Sequence, residues 1–328
     1  MITEILCGNE AIRRGKELIL SGSVVAFPTE TVYGLGANAY NADAINEIFK
    51  AKERPQDNPL IVHIADIKEI YKITKEVSYD ALKLANAFMP GPLTLVLKKN
   101  DLIPYCVTAG LSTVAIRMPN HKIALELIRA AGVPIAAPSA NKSMHISPTS
   151  MEHVRDDLNG RIPLIIDGGQ CSVGIESTVI DMSGENINIL RPGYITKAMI
   201  EKVLNREVGE KTSTTGAPSS PGMKYRHYAP KQPMTIYKSC DEICEAYDNL
   251  IIKNKKPVII TSNNTDYYMD RHIINVGETR EEIARNIYAA MRKAENSYDI
   301  ILCEDFNDSE IGHSIMNRLN KAAEKIKK

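Results

Sequence analysis

Four cations stand beside short apolar runs in this sequence: Lys52 and Arg54 in KAKERPQDNPL, Arg117 in STVAIRMP and Arg191 in ILRPG. Hydroxyl, amide and imidazole groups accompany them: Thr31 in FPTETVYGLGANA, His63 in PLIVHIA, Ser139 and Asn141 in APSANKS, and Ser177 and Thr178 in GIESTVID. Cations and hydroxyls without a close carboxylate pair suit a small anionic ligand that carries phosphates. Each group also has a plainer reading on its own. Lys50, Lys52 and Arg54 fit solvated charges at a helix end, where cations favour the dipole. His63 fits a satisfied structural histidine, and Arg117 fits an edge strand open to water.

The elements that would position these groups alternate in a period of two. In PLIVHIA, Leu60, Val62 and Ile64 fall on one face and Ile61, His63 and Ala65 on the other. In STVAIRMP, Val114, Ile116 and Met118 oppose Thr113, Ala115 and Arg117. Burying an arginine on a central strand is costly without an anion or carboxylate partner. APSANKS ends a strand in small polar groups, where a backbone can approach a ligand.

VVAFPTETVYGLGANA, residues 24–39, also matches the strand-then-G-x-G-x-x-A pattern of a dinucleotide site. Such a fold requires an acidic residue at the end of the second strand, about 20 residues on. Asp57 lies near that distance but precedes its strand, and Asp66 comes too late. Six residues, Pro28 among them, separate Phe27 from Gly34, where a tight turn should follow at once. The dinucleotide reading is rejected, and Gly34 and Gly36 are expected to let the backbone turn tightly beside the site.

The chain has 328 residues, 44% hydrophobic and 24% charged, within the range of globular proteins. Lys plus Arg (40) equals Asp plus Glu (40), so the molecule as a whole has no field to draw in nucleic acid or acidic membranes. The first fifteen residues carry early charge and do not read as a signal peptide. No apolar run approaches the ~20 residues of a membrane span. Six scattered cysteines, with no histidine pair at ligand spacing, read as free thiols of a reducing cytosol. The expected location is cytoplasmic.

Helix-like and strand-like segments alternate through the first two hundred residues. NADAINEIFKAK is a helix capped by Asn41 or Asp43, and SYDALKLANAFM is a helix opened by Ser78. Several later strands without helices between them predict a mixed sheet. Residues 207–233 are rich in small, polar, Pro and Gly residues and read as a linker or long functional loop. An α/β pattern then restarts. In its helix TREEIARNIYAAMRKAEN, Ile283, Ile287, Ala290, Met291 and Ala294 share one face. The expected division is 1–206, a linker at 207–233, and 234–328.

Taken in order, FPTETVYGLGANA, KAKERPQDNPLIVH, PGPLTLVL, STVAIRMP, APSANKS, GIESTVID, LRPG and SPGMKYRHYAP resemble the L-threonylcarbamoyladenylate synthases in their long two-domain form. The resemblance is dense over the first two hundred residues and the linker. The K-x-R and S-x-N signatures stand as Lys52, Arg54, Ser139 and Asn141. It implies an α/β fold: a twisted open mixed sheet with a positively charged concave surface (YrdC-like), joined by the long linker to a smaller Rossmann-like α/β C-terminal domain. It also implies condensation of L-threonine, bicarbonate or CO2 and ATP into threonylcarbamoyl-AMP and pyrophosphate. The product passes to a tRNA threonylcarbamoyl transferase, for modification of the adenosine beside the anticodon.

By motif, the resemblance assigns Thr31, His63, Arg117, Ser177 and the backbone at Ala137 to threonine. It assigns Arg54, Asn58, Thr113, Ser139, Ser147, Arg191 and Tyr228 to ATP, with Lys52 and Asn141 completing the phosphate side. Lys52, Arg54, Ser139 and Asn141 form the catalytic set. No acidic metal cage is expected, and Mg2+ would arrive on ATP. The linker, with Gly216, Gly222 and an aromatic basic segment, is expected to act as a lid. Two other readings stay open: a double-stranded-RNA-binding module, or at least weak RNA binding, and a related carbamoyl-transferring enzyme on the same fold.

Overall fold

The structure, a computed structural model, describes residues 1–211, 228–262 and 265–326. These divide into two compact units, one holding 1–143, 148–172 and 176–211, the other 144–147, 173–175 and the described residues from 228 on. Of the expected lid at 207–233, residues 212–227 lie outside the described residues.

The first unit is built on an eleven-stranded sheet. Its strands are β1 (Glu4–Leu6), β2 (Val25–Phe27), β3 (Gly34–Asn38), β4 (Ile61–His63), β5 (Leu93–Lys98), β6 (Thr113–Arg117), β7 (Ile135–Ala137), β8 (Leu164–Ile166), β9 (Thr178–Asp181), β10 (Asn188–Arg191) and β11 (Gly209–Glu210). The spatial order is β1-β8-β2-β3-β7-β4-β6-β5-β9-β10-β11. It is mixed, as expected: β4 pairs parallel with β6 and β5 with β9, while β2–β3 and β5–β6 are antiparallel. Its helices are α1 (Gly8–Leu20), α2 (Ala42–Lys52), α3 (Ile70–Ile73), α4 (Tyr79–Phe88), α5 (Tyr105–Thr108), α6 (Lys122–Ala131), α7 (Met151–Leu158) and α8 (Lys197–Leu204).

Helix starts follow the local chemistry. Asn41, not Asp43, caps α2, its side chain accepting from the backbone N–H groups of Asp43 and Ala44. Ser78 caps α4 through the N–H of Ala81. One sheet face carries Val62, Leu95, Leu97, Val114 and Ile116 into the main core, which includes Ile45 and Ile48 of α2, Leu84 of α4 and Ile200 of α8. On the other face, Val25, Phe27 and Ile135 pack with Ile19 of α1 and Leu127 and Ile128 of α6.

The second unit is an all-parallel five-stranded sheet with helices, the Rossmann-like arrangement expected. Its strands are β12 (Met234–Tyr237), β13 (Pro257–Thr261), β14 (Ile273–Asn275), β15 (Ile300–Glu304) and β16 (Lys325–Ile326), in the order β14-β13-β15-β12-β16. The helices are α9 (Cys240–Ile252), α10 (Arg280–Glu295) and α11 (Glu310–Ala322). Thr279 and Glu282 form a capping box on α10, and Ile283, Ile287, Ala290, Met291 and Ala294 are buried on one face of it.

The glycine motif is where the sequence expectation fails. Gly34 and Gly36 lie within strand β3, with no left-handed backbone. They are small because a ring lies over them. A Cβ on Gly36 would come 2.4 Å from Cγ2 of Ile135 and 2.7 Å from Cε1 of Phe27. Gly36→Ala is therefore expected to destabilise the protein by roughly 1–3 kcal/mol through overpacking. Urea unfolding tests this, and an unchanged midpoint would show that Phe27 yields freely.

Candidate active site

Strand alternation sorts the site. With Val114 and Ile116 committed to the main core, Thr113, Ala115 and Arg117 of β6 turn to the opposite face. On β4, Val62 points to the core and Ile61 and His63 point away. The registers place His63 beside Arg117 and Ile61 beside Ala115, with Ala137 of β7 across from Ile61. Ile61, Val96, Ala115, Val179 and Leu190 form a small apolar floor on this face. Thr113 and Arg117, four residues apart on one strand, mark ends about 13 Å apart.

Arg117 is 4% exposed and makes three contacts. Its Nη1 donates to Thr31 Oγ1 at 2.7 Å, its Nε to the Gly91 carbonyl at 3.4 Å, and its Nη2 faces Glu30 Oε2 at 2.7 Å. The edge-strand reading of this arginine is thereby replaced by a buried ion pair. His63 is also buried, its Nδ1 donating to the Ile61 carbonyl at 3.1 Å and its ring meeting Phe27 edge-on. Burial, then the charge of Arg117, pushes His63 down to about 3. It is a neutral hydrogen-bonding group at physiological pH.

Ser177 and Arg191 form a second cluster. Arg191 donates Nε to the Ser177 carbonyl at 3.1 Å and Nη2 to Ser177 Oγ at 3.2 Å, while Thr94 Oγ1 lies 2.7 Å from Ser177 Oγ. The segment before β5 joins the two clusters: Gly91 accepts from Arg117, and Pro92 accepts from the N–H of Thr178.

The signature residues make a third cluster. Lys52, the last residue of α2, is buried, and its Nζ donates to the carbonyls of Ser139 and Asn141. Burial, reinforced by the charge of Arg54, drives the Lys52 ammonium well below the usual lysine range. This geometry makes Lys52 a holder of the Ser139–Asn141 loop. Arg54 donates Nη2 to the Asn58 carbonyl at 3.2 Å. Asn58 is 1% exposed, and neither end of its side-chain amide has a hydrogen-bond partner among the described residues. Backbone pairing connects this cluster to the turn that carries Thr31, because Ser139 bridges Gly34 and Ala140 N–H donates to the Tyr33 carbonyl.

Thr31, Lys52, Arg54, Asn58, His63, Thr113, Arg117, Ala137, Ser139, Asn141, Ser177 and Arg191 thus all belong to the first unit. Ser147 and Tyr228 belong to the second, where Tyr228 is buried and stacks on Tyr288 at 5.6 Å. Sequence reasoning missed Glu30, Thr94 and Gly91. Glu30 stood between two threonines of a quoted motif, but nothing local signals its burial. Among the described residues, no group of three or more His, Cys, Asp or Glu is placed to hold a metal, and no helix is long and apolar enough to cross a membrane.

Residues 17–193 match the family model Sua5/YciO/YrdC, described as "Telomere recombination", which makes the first unit a YrdC-like domain. Residues 195–324 match the model described as "Threonylcarbamoyl-AMP synthase, C-terminal domain". The chain is 45% identical to a threonylcarbamoyl-AMP synthase of Pyrococcus abyssi over 95% of its length and 94% of that protein's. It is 46% identical to a threonylcarbamoyl-AMP synthase of Bacillus subtilis over 98% of its length and 96% of that protein's. The crystal structure of P. abyssi Sua5 complexed with L-threonine superposes with a TM-score of 0.93 at 43% identity, covering 100% of both chains. The chain belongs to the threonylcarbamoyl-AMP synthase family.

Two predictions follow from this geometry. A histidine with a lowered native pKa binds fewer protons folded than unfolded, so its contribution is complete above its ordinary value of 6.5 and is lost as pH falls toward about 3. Between pH 7 and 5, wild type should lose roughly 2 kcal/mol more stability than His63→Gln. Parallel urea curves at the two pH values measure this, and equal losses would mean His63 is solvated. Lys52→Met should leave two carbonyls without their donor and cost on the order of 2–4 kcal/mol, read by the same method.

Proposed function

We propose that this chain condenses L-threonine, CO2 or bicarbonate and ATP into threonylcarbamoyl-AMP and pyrophosphate. The observation that carries the reading is the single sheet face on which Arg117, His63, Thr31, Ser177 and Arg191 meet, in a chain that matches the threonine-complexed relative from end to end. Thr31, His63, Arg117, Ser177 and the backbone of Ala137 surround threonine. Arg54, Asn58, Thr113, Ser139 and Arg191 take the nucleotide, with Asn141 and the loop that Lys52 holds on the phosphate side. Mg2+ enters on the ATP phosphates. The product serves threonylcarbamoyl transfer to tRNA by a separate enzyme.

Threonine's ammonium gives up a proton to solvent, and the freed amine adds to the carbon of CO2 with loss of a second proton to form the carbamate. The carbamate oxygen then displaces pyrophosphate from the α-phosphate. A carbamate decomposes in water, so alignment and exclusion of solvent matter more than acid–base power. Negative charge moves onto the leaving pyrophosphate, where Arg54 and Arg191 offset it. A neutral His63 fits this scheme, since it can orient threonine without adding charge.

Pyrophosphate release from ATP by the purified chain tests the proposal, omitting threonine and bicarbonate in turn. Release should require both, and Arg54→Ala should lower kcat on the order of a hundredfold. Release that needs neither would overturn the synthase reading. Consumption of carbamoyl phosphate without threonine would point to another carbamoyl chemistry.

A further inference from the structure

The turn between β2 and β3 carries a carboxylate that the reaction scheme above leaves unused. Glu30 is 3% exposed, and Oε2 lies 2.7 Å from Arg117 Nη2. Yet neither of its oxygens has a hydrogen bond of regular geometry to any described residue. A single off-line contact to a guanidinium leaves most of the acceptor capacity of a carboxylate unfilled, in a place where unfilled capacity is expensive. The neighbours do not fill it. Thr29 Oγ1 donates to the Val32 carbonyl and Thr31 Oγ1 accepts from Arg117. His121 Nδ1 also lacks a partner, and Glu30 favours its protonated form without overcoming burial. One end of the site is thus a fork: a cation next to Thr31, and beside it an anion still short of donors.

We propose that Glu30 receives the ammonium group of the amino-acid substrate and so selects for an α-amine. The inference rests on the threonine reading above. A zwitterion has one anionic and one cationic group a few ångströms apart, and Arg117 and Glu30 set the complementary charges side by side, 2.7 Å apart where they meet. The two side chains neutralise each other, and the substrate's ammonium supplies the donors that Glu30 lacks. A hydroxy acid or simple carboxylate brings no donor to Glu30 and gains nothing from it, so the preference for an α-amine comes from what the ammonium alone gains.

Calorimetric titration of the full chain with L-threonine and with (R)-3-hydroxybutyrate, which lacks only the amine, tests this in wild type and Glu30→Gln. The glutamine keeps the shape, and its carbonyl can still accept from Arg117. Wild type should prefer threonine, and Glu30→Gln should lose about tenfold to a hundredfold of threonine affinity while changing the analogue by less than about twofold. Glu30→Asp should recover part of the preference. If Glu30 only braces Arg117, both ligands weaken equally in Glu30→Gln, and the inference is overturned. If Glu30→Gln keeps full discrimination, it is overturned as well. Wild type that binds no threonine overturns this inference together with the reading beneath it, and circular dichroism of each variant separates misfolding from loss of binding.

Discussion

A guanidinium buried on the face of a β-sheet has to be neutralised where it lies. Moving Arg117 out of water costs several kcal/mol before any partner is counted. Glu30, Thr31 and the Gly91 carbonyl are what offset it. None of the three belongs to β6 or to its neighbours in the sheet. Glu30 and Thr31 arrive on the turn after β2, and that turn is held by itself: Thr29 Oγ1 accepts from the N–H groups of Thr31 and Val32 and donates to the Val32 carbonyl. Gly91 arrives on the segment between α4 and β5. One buried charge therefore fixes two loops against the sheet, and its field also helps to keep His63 neutral.

The sheet could not have supplied this place if both its faces were fully covered. Helices α1 and α6 cover the side carrying Phe27 and Ile135, and the core they build ends near Ala137. Beyond it, on the same face, Ile61, Val96, Ala115, Val179 and Leu190 form a separate small apolar floor. The polar residues of the site surround that floor. Gly193 belongs to the same economy of space, since a Cβ there would come 2.5 Å from the backbone nitrogen of Thr178. Position 193 must be bare for the Arg191 strand to lie against Ser177.

What was legible in the sequence was what local rules decide. Period-two alternation in PLIVHIA and STVAIRMP put His63 and Arg117 each opposite its own strand's apolar face, and Asn41 and Ser78 announced their helices. What was not legible depends on distant residues. Strand β1 is three residues that count as a strand only because β8 pairs with them. The glycines of β3 mimic a nucleotide loop, and their true reason is the ring of Phe27, on the neighbouring strand. Helices α7 and α8, eight residues each, escaped notice among polar sequence. The assignment of 144–147 and 173–175 to the second unit has no local signal at all. Glu30 is the most telling case, because its sequence context marks a polar turn while its burial comes from a strand some 85 residues away.

The spacing of the K-x-R signature has a geometric reason. Lys52 ends α2, and Glu53 takes a left-handed conformation at φ 52°, which few residues other than glycine adopt readily. That residue reverses the chain, so side chains two positions apart are sent to different tasks. Lys52 goes inward to the carbonyls of Ser139 and Asn141, while Arg54 stays half-buried beside Asn58. The intervening Glu53 is exposed and meets Lys142 at 2.8 Å and Arg161 at 2.6 Å, and hydrogen bonds from these two pull its carboxyl down to about 2. Lys52 O also accepts from the N–H of Ser143. The end of one helix and the loop after β7 are thus tied from three directions. The loop's placement is built into the turn itself, because the helix end directs the lysine amine to the two backbone carbonyls of that loop.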